Sequence, residues 1–75
     1  MKNFYYAVDA QKDGIYYPYV VTVKENTNLL SQINYATFEV VQPCHTKKEA
    51  ASLVSLWRKC HQENGNLAEV LKNLF

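Results

Sequence analysis

Glycine and cysteine are scarce in this chain, and each scarcity excludes a class of structure. Two glycines leave no Gly-rich loop to hold a phosphate and no Gly/Ser linker between domains. Two cysteines are too few for a disulfide scaffold, so we expect both thiols to stay reduced. No apolar run approaches the roughly 20 residues that cross a bilayer, and the N-terminus has no apolar leader segment. We therefore expect a cytoplasmic protein without a membrane span.

An excess of charge of one sign is also missing. Eight Lys/Arg face seven Asp/Glu, which leaves a formal net charge of +1. A dedicated nucleic-acid binder would carry more positive charge. The chain does have 48% hydrophobic and 13% aromatic residues, enough for a folded core. At 75 residues we expect one domain covering residues 1–75.

Five of the six tyrosines lie in one predicted hairpin of strands 4–10 and 15–24. The turn residues Asp13 and Gly14 favour a two-residue connection that pairs Lys12 with Ile15. In that register one face is wholly apolar or aromatic, which predicts that it faces the core. Its members are Phe4, Tyr6, Val8, Ala10, Tyr17, Tyr19, Val21 and Val23. The opposite face, predicted to point outward, holds Tyr5, Ala7, Asp9, Gln11, Tyr16, Pro18, Val20 and Thr22.

A third strand is predicted over residues 36–43, ending at Pro43. Because Pro18 lacks an N–H, any strand beside the second one must stop or bulge near it. In an antiparallel meander the end of the third strand would lie near Pro18, so both prolines would limit the pairing. The connection 25–35 is polar, and one helical turn is predicted within it at Leu29, Leu30 and Ile33.

The main helix is predicted over residues 46–64. Thr46 and Glu49 form a capping box at its start, and Asn64-Gly65 ends it. An apolar stripe at helical spacing is predicted to face the core. The stripe consists of Ala50, Leu53, Val54, Trp57 and Cys60.

A short C-terminal helix is predicted after a second capping box, Asn66 with Glu69. Its apolar face needs a cover, either from this domain or from a second copy. That face is formed by Leu67, Val70, Leu71, Leu74 and Phe75. The fold prediction is α+β: a three-stranded antiparallel meander packed by one main helix plus a short C-terminal helix.

Two Cys-His pairs, Cys44-His45 and Cys60-His61, raise the question of a metal or a catalytic thiol. Adjacent residues point in different directions on a strand or a helix, so neither pair converges on one zinc ion. A Cys/His nucleophile pair also needs a pocket and an oxyanion donor, for which the chain has little loop. We expect no metal, no cofactor and no enzymatic activity, with Cys60 in the core and His61 at its boundary.

The predicted outward sheet face provides the first candidates for recognition. An exposed aromatic patch can contact a protein or stack on nucleobases, and few cations accompany this one. We expect protein contact there, through Tyr5, Tyr16, Pro18 and Val20. The C-terminal helix is the second candidate surface, through Leu71, Leu74 and Phe75, and it predicts a homodimer.

Four lysines define the alternative function, nucleic-acid binding. Two of them stand at the start of the main helix, where acidic residues are preferred and where cations could contact phosphate. The candidate phosphate contacts are Lys12, Lys24, Lys47 and Lys48. A solvated helix face also accounts for the basic residues of the helix.

The strand–strand–strand–helix order of residues 4–63, with Thr46-Lys47-Lys48-Glu49-Ala50 at the helix start, resembles the arm-type DNA-binding domain of tyrosine recombinases. In that family a three-stranded sheet enters the major groove and the helix supports it. The chain is also similar to small uncharacterised proteins of Gram-positive bacteria and their mobile elements, which share the aromatic hairpin and a Trp-bearing helix ending in Asn-Gly. The first resemblance implies a DNA-binding accessory protein of a mobile element, and the second implies no known activity. The residues themselves favour a non-enzymatic interaction module that binds a protein or itself.

Overall fold

The computed structural model describes residues 3–25 and 38–73, and gives side chains for all of them except 38 and 39. Three antiparallel strands, one long helix and one short helix make up this part of the chain. They are β1 (Asn3–Lys12), β2 (Ile15–Lys24), β3 (Phe38–Cys44), α1 (Lys47–Glu63) and α2 (Glu69–Lys72). The predicted α+β class is therefore confirmed. The predicted helical turn at Leu29, Leu30 and Ile33 lies outside the described residues.

The β1–β2 hairpin has the predicted turn and the predicted register. Asp13 and Gly14 both have positive φ, 54° and 80°, as the two-residue turn requires. The Gln11 side chain accepts a 3.0 Å hydrogen bond from the Gly14 N–H and closes the turn. Lys12 pairs with Ile15, and the pairing continues without a shift to Asn3 and Lys24. Turn chemistry thus decides which side chains share a face.

The order of the strands differs from the predicted meander. β3 pairs with β1, so the sheet order is β2-β1-β3 and β1 lies at the centre. The reason lies in Pro18, which stands opposite Asp9 in a pair whose backbone groups point away from β1. The outer edge of β2 therefore lacks an N–H donor at Pro18. The other edge of β1 has all of its N–H donors, so β3 pairs there.

Pro43 does not end the third strand, contrary to the prediction. It pairs with Tyr6, and the ladder continues one residue further, where Cys44 pairs with Tyr5. By the alternation of antiparallel pairs, Tyr6 directs its backbone groups toward β2. The missing N–H of Pro43 therefore lies on the outer side of β3, where it interrupts no bond to β1.

A short segment after α1 pairs with the outer edge of β2. The Tyr16 N–H donates to the Asn66 carbonyl at 2.8 Å, and the Ala68 N–H donates to the Tyr16 carbonyl at 3.1 Å. This is a single parallel bridge, between Tyr16 and Leu67. Pro18 follows two residues later, which is why the pairing extends no further in that direction.

Helix α1 begins and ends as its flanking residues predict. The Thr46 side chain accepts a 3.1 Å hydrogen bond from the Glu49 N–H. The Glu49 carboxylate reaches back to the N–H of His45, at 3.4 Å, rather than to that of Thr46. Gly65 adopts a φ of 77°, and the Asn66 N–H then donates to the His61 carbonyl at 3.0 Å. This left-handed residue turns the chain back toward β2.

The face of the sheet that α1 covers is the one predicted to point outward. Ala7 packs against Ala50 and Val54 in a buried cluster. Partly buried residues complete it: Tyr5, Val20, Cys44, Leu53 and Trp57. The prediction ranked the faces by apolarity alone. It was wrong because α1 also carries two polar residues that bond to the hairpin. His61 bonds to the Asp9 side chain, and Arg58 donates to the Pro18 carbonyl.

The other face forms a second apolar cluster. Val8, Ala10, Val21 and Val23 are buried in it, with Tyr6, Tyr19 and Val41 packed against them. Two residues assigned to the core by sequence are exposed: Phe4 and Tyr17. Since Ala7, Val8, Asp9 and Ala10 are all buried in succession, the central strand is covered on both faces.

The start of α2 differs from the predicted second capping box. Ala68 occupies the N-cap position, and no side chain caps this helix. Asn66 lies two residues earlier, where its backbone carbonyl bonds to β2, and its Oδ1 atom is buried without a partner among the described residues. Pairing with β2 therefore displaces the helix start from Asn66.

Candidate functional site

The predicted recognition face on the sheet is not a free surface. Pro18 is fully buried, and Tyr5, Tyr16 and Val20 are partly buried. Tyr5 and Val20 pack beside Ala7 and the helix. The placement of these four candidates on an outer face was therefore wrong, because α1 lies over them.

A buried hydrogen bond joins the end of α1 to the centre of the sheet. Nε2 of His61 lies 2.8 Å from Oδ2 of Asp9, and the Asp9 side chain is only 7% exposed. An ionised carboxylate can only accept, so the imidazole N–H donates. The second oxygen, Oδ1, is buried without a partner among the described residues. Asp9 therefore depends on His61 for its bond inside the fold.

The ring of His61 is held from its other side by Tyr16. The two rings stack with centroids 3.8 Å apart and planes 11° from parallel. The backbone of Tyr16 is itself bonded to residues 66 and 68. The hairpin and the end of α1 thus meet at this ring, and the segment before α2 is bonded to the backbone of the same tyrosine. The arrangement positions the C-terminal part of the chain against the edge of β2.

Sequence reasoning missed the role of His61, although a signal was present. We expected Cys60 to be core, and it is exposed. At about 100° per residue, His61 stands about 20° around the helix from Ala50, whereas Cys60 stands about 80° away on the other side. A polar residue at the centre of a buried stripe requires a polar partner. Asp9 is the acidic residue within the paired part of the hairpin, so the sequence did indicate this partner.

A groove of about 790 Å³ opens between the outer edge of β2 and the segment that leads into α2. We call it the edge groove. Residues of β2 form one wall: Ile15, Tyr17, Pro18 and Tyr19. Residues 65 and 67–72 form the other wall, and Arg58 of α1 also lines the groove. Leu67, Ala68 and Pro18 are buried, so these parts of the lining are firmly packed.

The rim of the edge groove is apolar and exposed. Val70 projects from α2 with 76% of its surface exposed, and Ile15 and Tyr17 are exposed on the β2 side. Of the C-terminal candidates, Leu71 lines the groove and is partly buried. Leu74 and Phe75 lie outside the described residues. Exposed apolar side chains beside a concave surface are typical of a binding site for another molecule.

Arg58 and Lys72 are the cations that line the edge groove, and Arg58 makes one long hydrogen bond among the described residues. Nη2 donates to the Pro18 carbonyl over a long 3.4 Å, and Nε is buried with no partner among the described residues. Within this part of the chain Arg58 belongs to no ion pair. A guanidinium has five donors, so Arg58 can still bind an acceptor on an incoming group.

The four candidate phosphate contacts are exposed but do not form one patch. Lys12 adjoins the hairpin turn, whereas Lys24 lies opposite Asn3 at the far end of β1. Nine residues of strand place these two ends about 30 Å apart. Lys47 and Lys48 begin α1 at the same end as Lys24, because Cys44 pairs with Tyr5 there. A flat basic surface of all four lysines is therefore not present.

The cysteines lie at opposite ends of α1. Cys44 precedes the helix and donates to the Gln42 carbonyl at 3.5 Å, while His61 lies about 20 Å along the helix axis. The same separation applies to His45 and Cys60. The described residues include no group of three or more His, Cys, Asp or Glu side chains that could hold a metal.

Comparisons with protein-family models, with curated proteins and with solved structures found no match to this chain. The resemblance to recombinase arm-type domains and to proteins of mobile elements therefore stays a prediction. Nor does the part of the chain that the structure describes contain a helix with the length and apolarity to cross a membrane.

Proposed function

We propose that this chain is a non-enzymatic interaction module that binds another polypeptide in the edge groove. The observation that carries the proposal is the exposed apolar rim of Val70, Ile15 and Tyr17 beside a packed concave floor. Burial of such side chains is worth roughly 25 cal/mol per Å², so a partner that covers this rim gains binding free energy. The sheet face that sequence favoured is already used by α1.

The Asp9–His61 pair supports a structural role for the polar residues rather than a catalytic one. Both of its groups face interior surfaces, and the imidazole is held between a carboxylate and an aromatic ring. Catalysis by such a pair needs a nucleophile within hydrogen-bonding distance. Among the described residues, no serine or cysteine hydrogen-bonds to His61.

The proposal includes no cofactor, and it assigns the module to the cytoplasm. Cys44 and Cys60 are both free thiols, separated by the length of α1. Free thiols persist in reducing compartments. Nucleic-acid binding remains an alternative, but the separation of Lys12 from the other three lysines disfavours it.

Photo-crosslinking tests the edge groove as the binding surface. A benzoylphenylalanine replaces Tyr17 on the rim, and in a control chain it replaces Ser55, an exposed residue of α1 away from the groove. We expect a discrete adduct with one added polypeptide from the Tyr17 position in cells that make the protein. The Val70→Asp substitution should abolish that adduct.

Two results would contradict the proposal. One is the absence of any polypeptide adduct at position 17. The other is an adduct that forms equally at position 55 or that persists unchanged in Val70→Asp.

A further inference from the structure

Arg58 and Glu69 both line the edge groove, so one groove carries a guanidinium and an exposed carboxylate. Arg58 lines the groove with donors to spare, and Glu69 begins α2 with its side chain 86% exposed. The apolar residue next to Glu69 is Val70, the most exposed part of the rim. The groove can therefore receive an acidic residue followed by an apolar one. Its own rim carries such a pair, Glu69 and Val70.

From this we infer that the partner in the edge groove is α2 of a second copy of the chain. In this dimer the Glu69 carboxylate of each copy pairs with Arg58 of the other, and each Val70 enters the apolar part of the opposite groove. The inference rests on the proposed function, because it assigns the occupant of the same groove.

Within one chain, Glu69 makes only a long ion pair among the described residues. Its nearest cation is Lys72, whose Nζ lies 3.6 Å from the carboxylate. A charge-assisted hydrogen bond to nitrogen is normally about 2.7–2.9 Å long, so this contact is weak. Arginine binds a carboxylate through two parallel N–H groups, which lysine cannot do. Exchange of Lys72 for the partner's guanidinium therefore improves the bonding of Glu69.

Two-fold symmetry explains why a small surface is sufficient for association of two copies. In a symmetric dimer the same patch is used on both copies, so each contact occurs twice. The Arg58–Glu69 pairs flank the two Val70 side chains and remove them from water together. Interfaces of this modest size are transient, so we expect a monomer–dimer equilibrium rather than an obligate dimer.

Sedimentation equilibrium with charge-reversed variants tests the dimer. Wild-type protein should change from the 8.7 kDa monomer toward twice that mass as its concentration rises. Arg58→Glu and Glu69→Arg should each weaken association at least about tenfold, since each places like charges opposite each other twice. Lys59→Glu is the matched control, because it reverses a neighbouring exposed charge outside the groove.

The decisive sample is an equimolar mixture of Arg58→Glu with Glu69→Arg. In a mixed dimer both pairs are again opposite in charge, so association should return close to the wild-type level. Native mass spectrometry should then find the heterodimer in excess over either homodimer. Should Arg58→Glu fail to fold, Arg58→Gln and Glu69→Gln serve instead: each should weaken the dimer, and the double variant should be no weaker than either.

Two outcomes would overturn the dimer. Wild-type protein could remain monomeric to about 500 µM, which would put the dissociation constant in the millimolar range or above, too weak for the paired contacts inferred here. Alternatively, the mixture could stay monomeric, or Lys59→Glu could weaken association as much as Arg58→Glu. If a Tyr17 crosslink to a different polypeptide survives such a result, the groove remains a binding site and only its occupant is wrong.

Discussion

His61→Phe removes the hydrogen bond at the end of α1 and leaves the ring in place. Phenylalanine keeps an aromatic ring to stack on Tyr16, but it has no N–H for the Asp9 carboxylate. Because Oδ1 of Asp9 already has no partner among the described residues, both oxygens would then be buried and unbonded. The substitution therefore isolates the polar contact from the packing around it.

The expected cost is large for a domain of this size. Loss of its hydrogen-bonding partner leaves a buried carboxylate unbonded, which costs about 3 kcal/mol or more, because an unbonded charged group costs more than the roughly 1–3 kcal/mol of a neutral one. A 75-residue domain is stable by about 4–11 kcal/mol in total. Asp9→Val alone should cost less, about 1–3 kcal/mol, because it leaves an imidazole rather than a carboxylate unpaired. The double variant should lie within about 1 kcal/mol of the wild type, since no unpaired group remains.

Urea unfolding followed by tryptophan fluorescence measures these differences. Trp57 is the single tryptophan and packs against the buried Ala7–Ala50 cluster, so its emission reports the core. The dependence of the unfolding free energy on urea should stay constant across the variants if only stability changes. Cys60→Ala is the control, because this neighbouring exposed side chain should contribute less than about 0.5 kcal/mol.

The reasoning would be refuted if the losses of unfolding free energy in the two single variants were additive. If the double variant loses the sum of the two single losses, Asp9 and His61 do not act on each other. A loss of less than about 1 kcal/mol in His61→Phe would also show that the carboxylate finds another partner.

The remaining predictions concern the helix start and the lysines. Thr46→Ala should destabilise the domain by about 1 kcal/mol because it removes the acceptor for the Glu49 N–H, while Thr46→Asn should retain most of that stability; the same urea titration measures both, and equal losses would contradict the capping role. Labelled duplex and single-stranded DNA should give no anisotropy change at about 50 mM salt, because Lys12 lies at the opposite end of the hairpin from the other three lysines. Binding that weakens steeply as salt rises would instead favour the nucleic-acid alternative.

Local features of the fold were predictable because they depend on neighbouring residues. Asp13 and Gly14 specify a turn that only one register satisfies, and Thr46 and Gly65 specify the two ends of α1. The exposed position of Val70 and the half-buried position of Leu71 could not be placed in the same way. Their surroundings depend on how the segment after α1 pairs with β2, and that pairing involves residues fifty positions apart.

The candidate site was less predictable than the fold. The sequence directed attention to Tyr5 and Tyr16, on the less apolar face of the hairpin, as a free surface. Instead the polar partners Asp9 and His61 draw α1 onto that face, and Tyr16 is stacked beneath it. The edge groove then forms where Pro18 prevents further pairing along β2.

The sequence by itself determined the elements, the hairpin register and the boundaries of the long helix, because turn and capping chemistry act over a few residues. Only the tertiary structure decided the order of the strands, the face that α1 covers and the position of the edge groove. Those features depend on which buried polar groups find partners across long sequence separations, and the apolar pattern of a single strand does not contain that information.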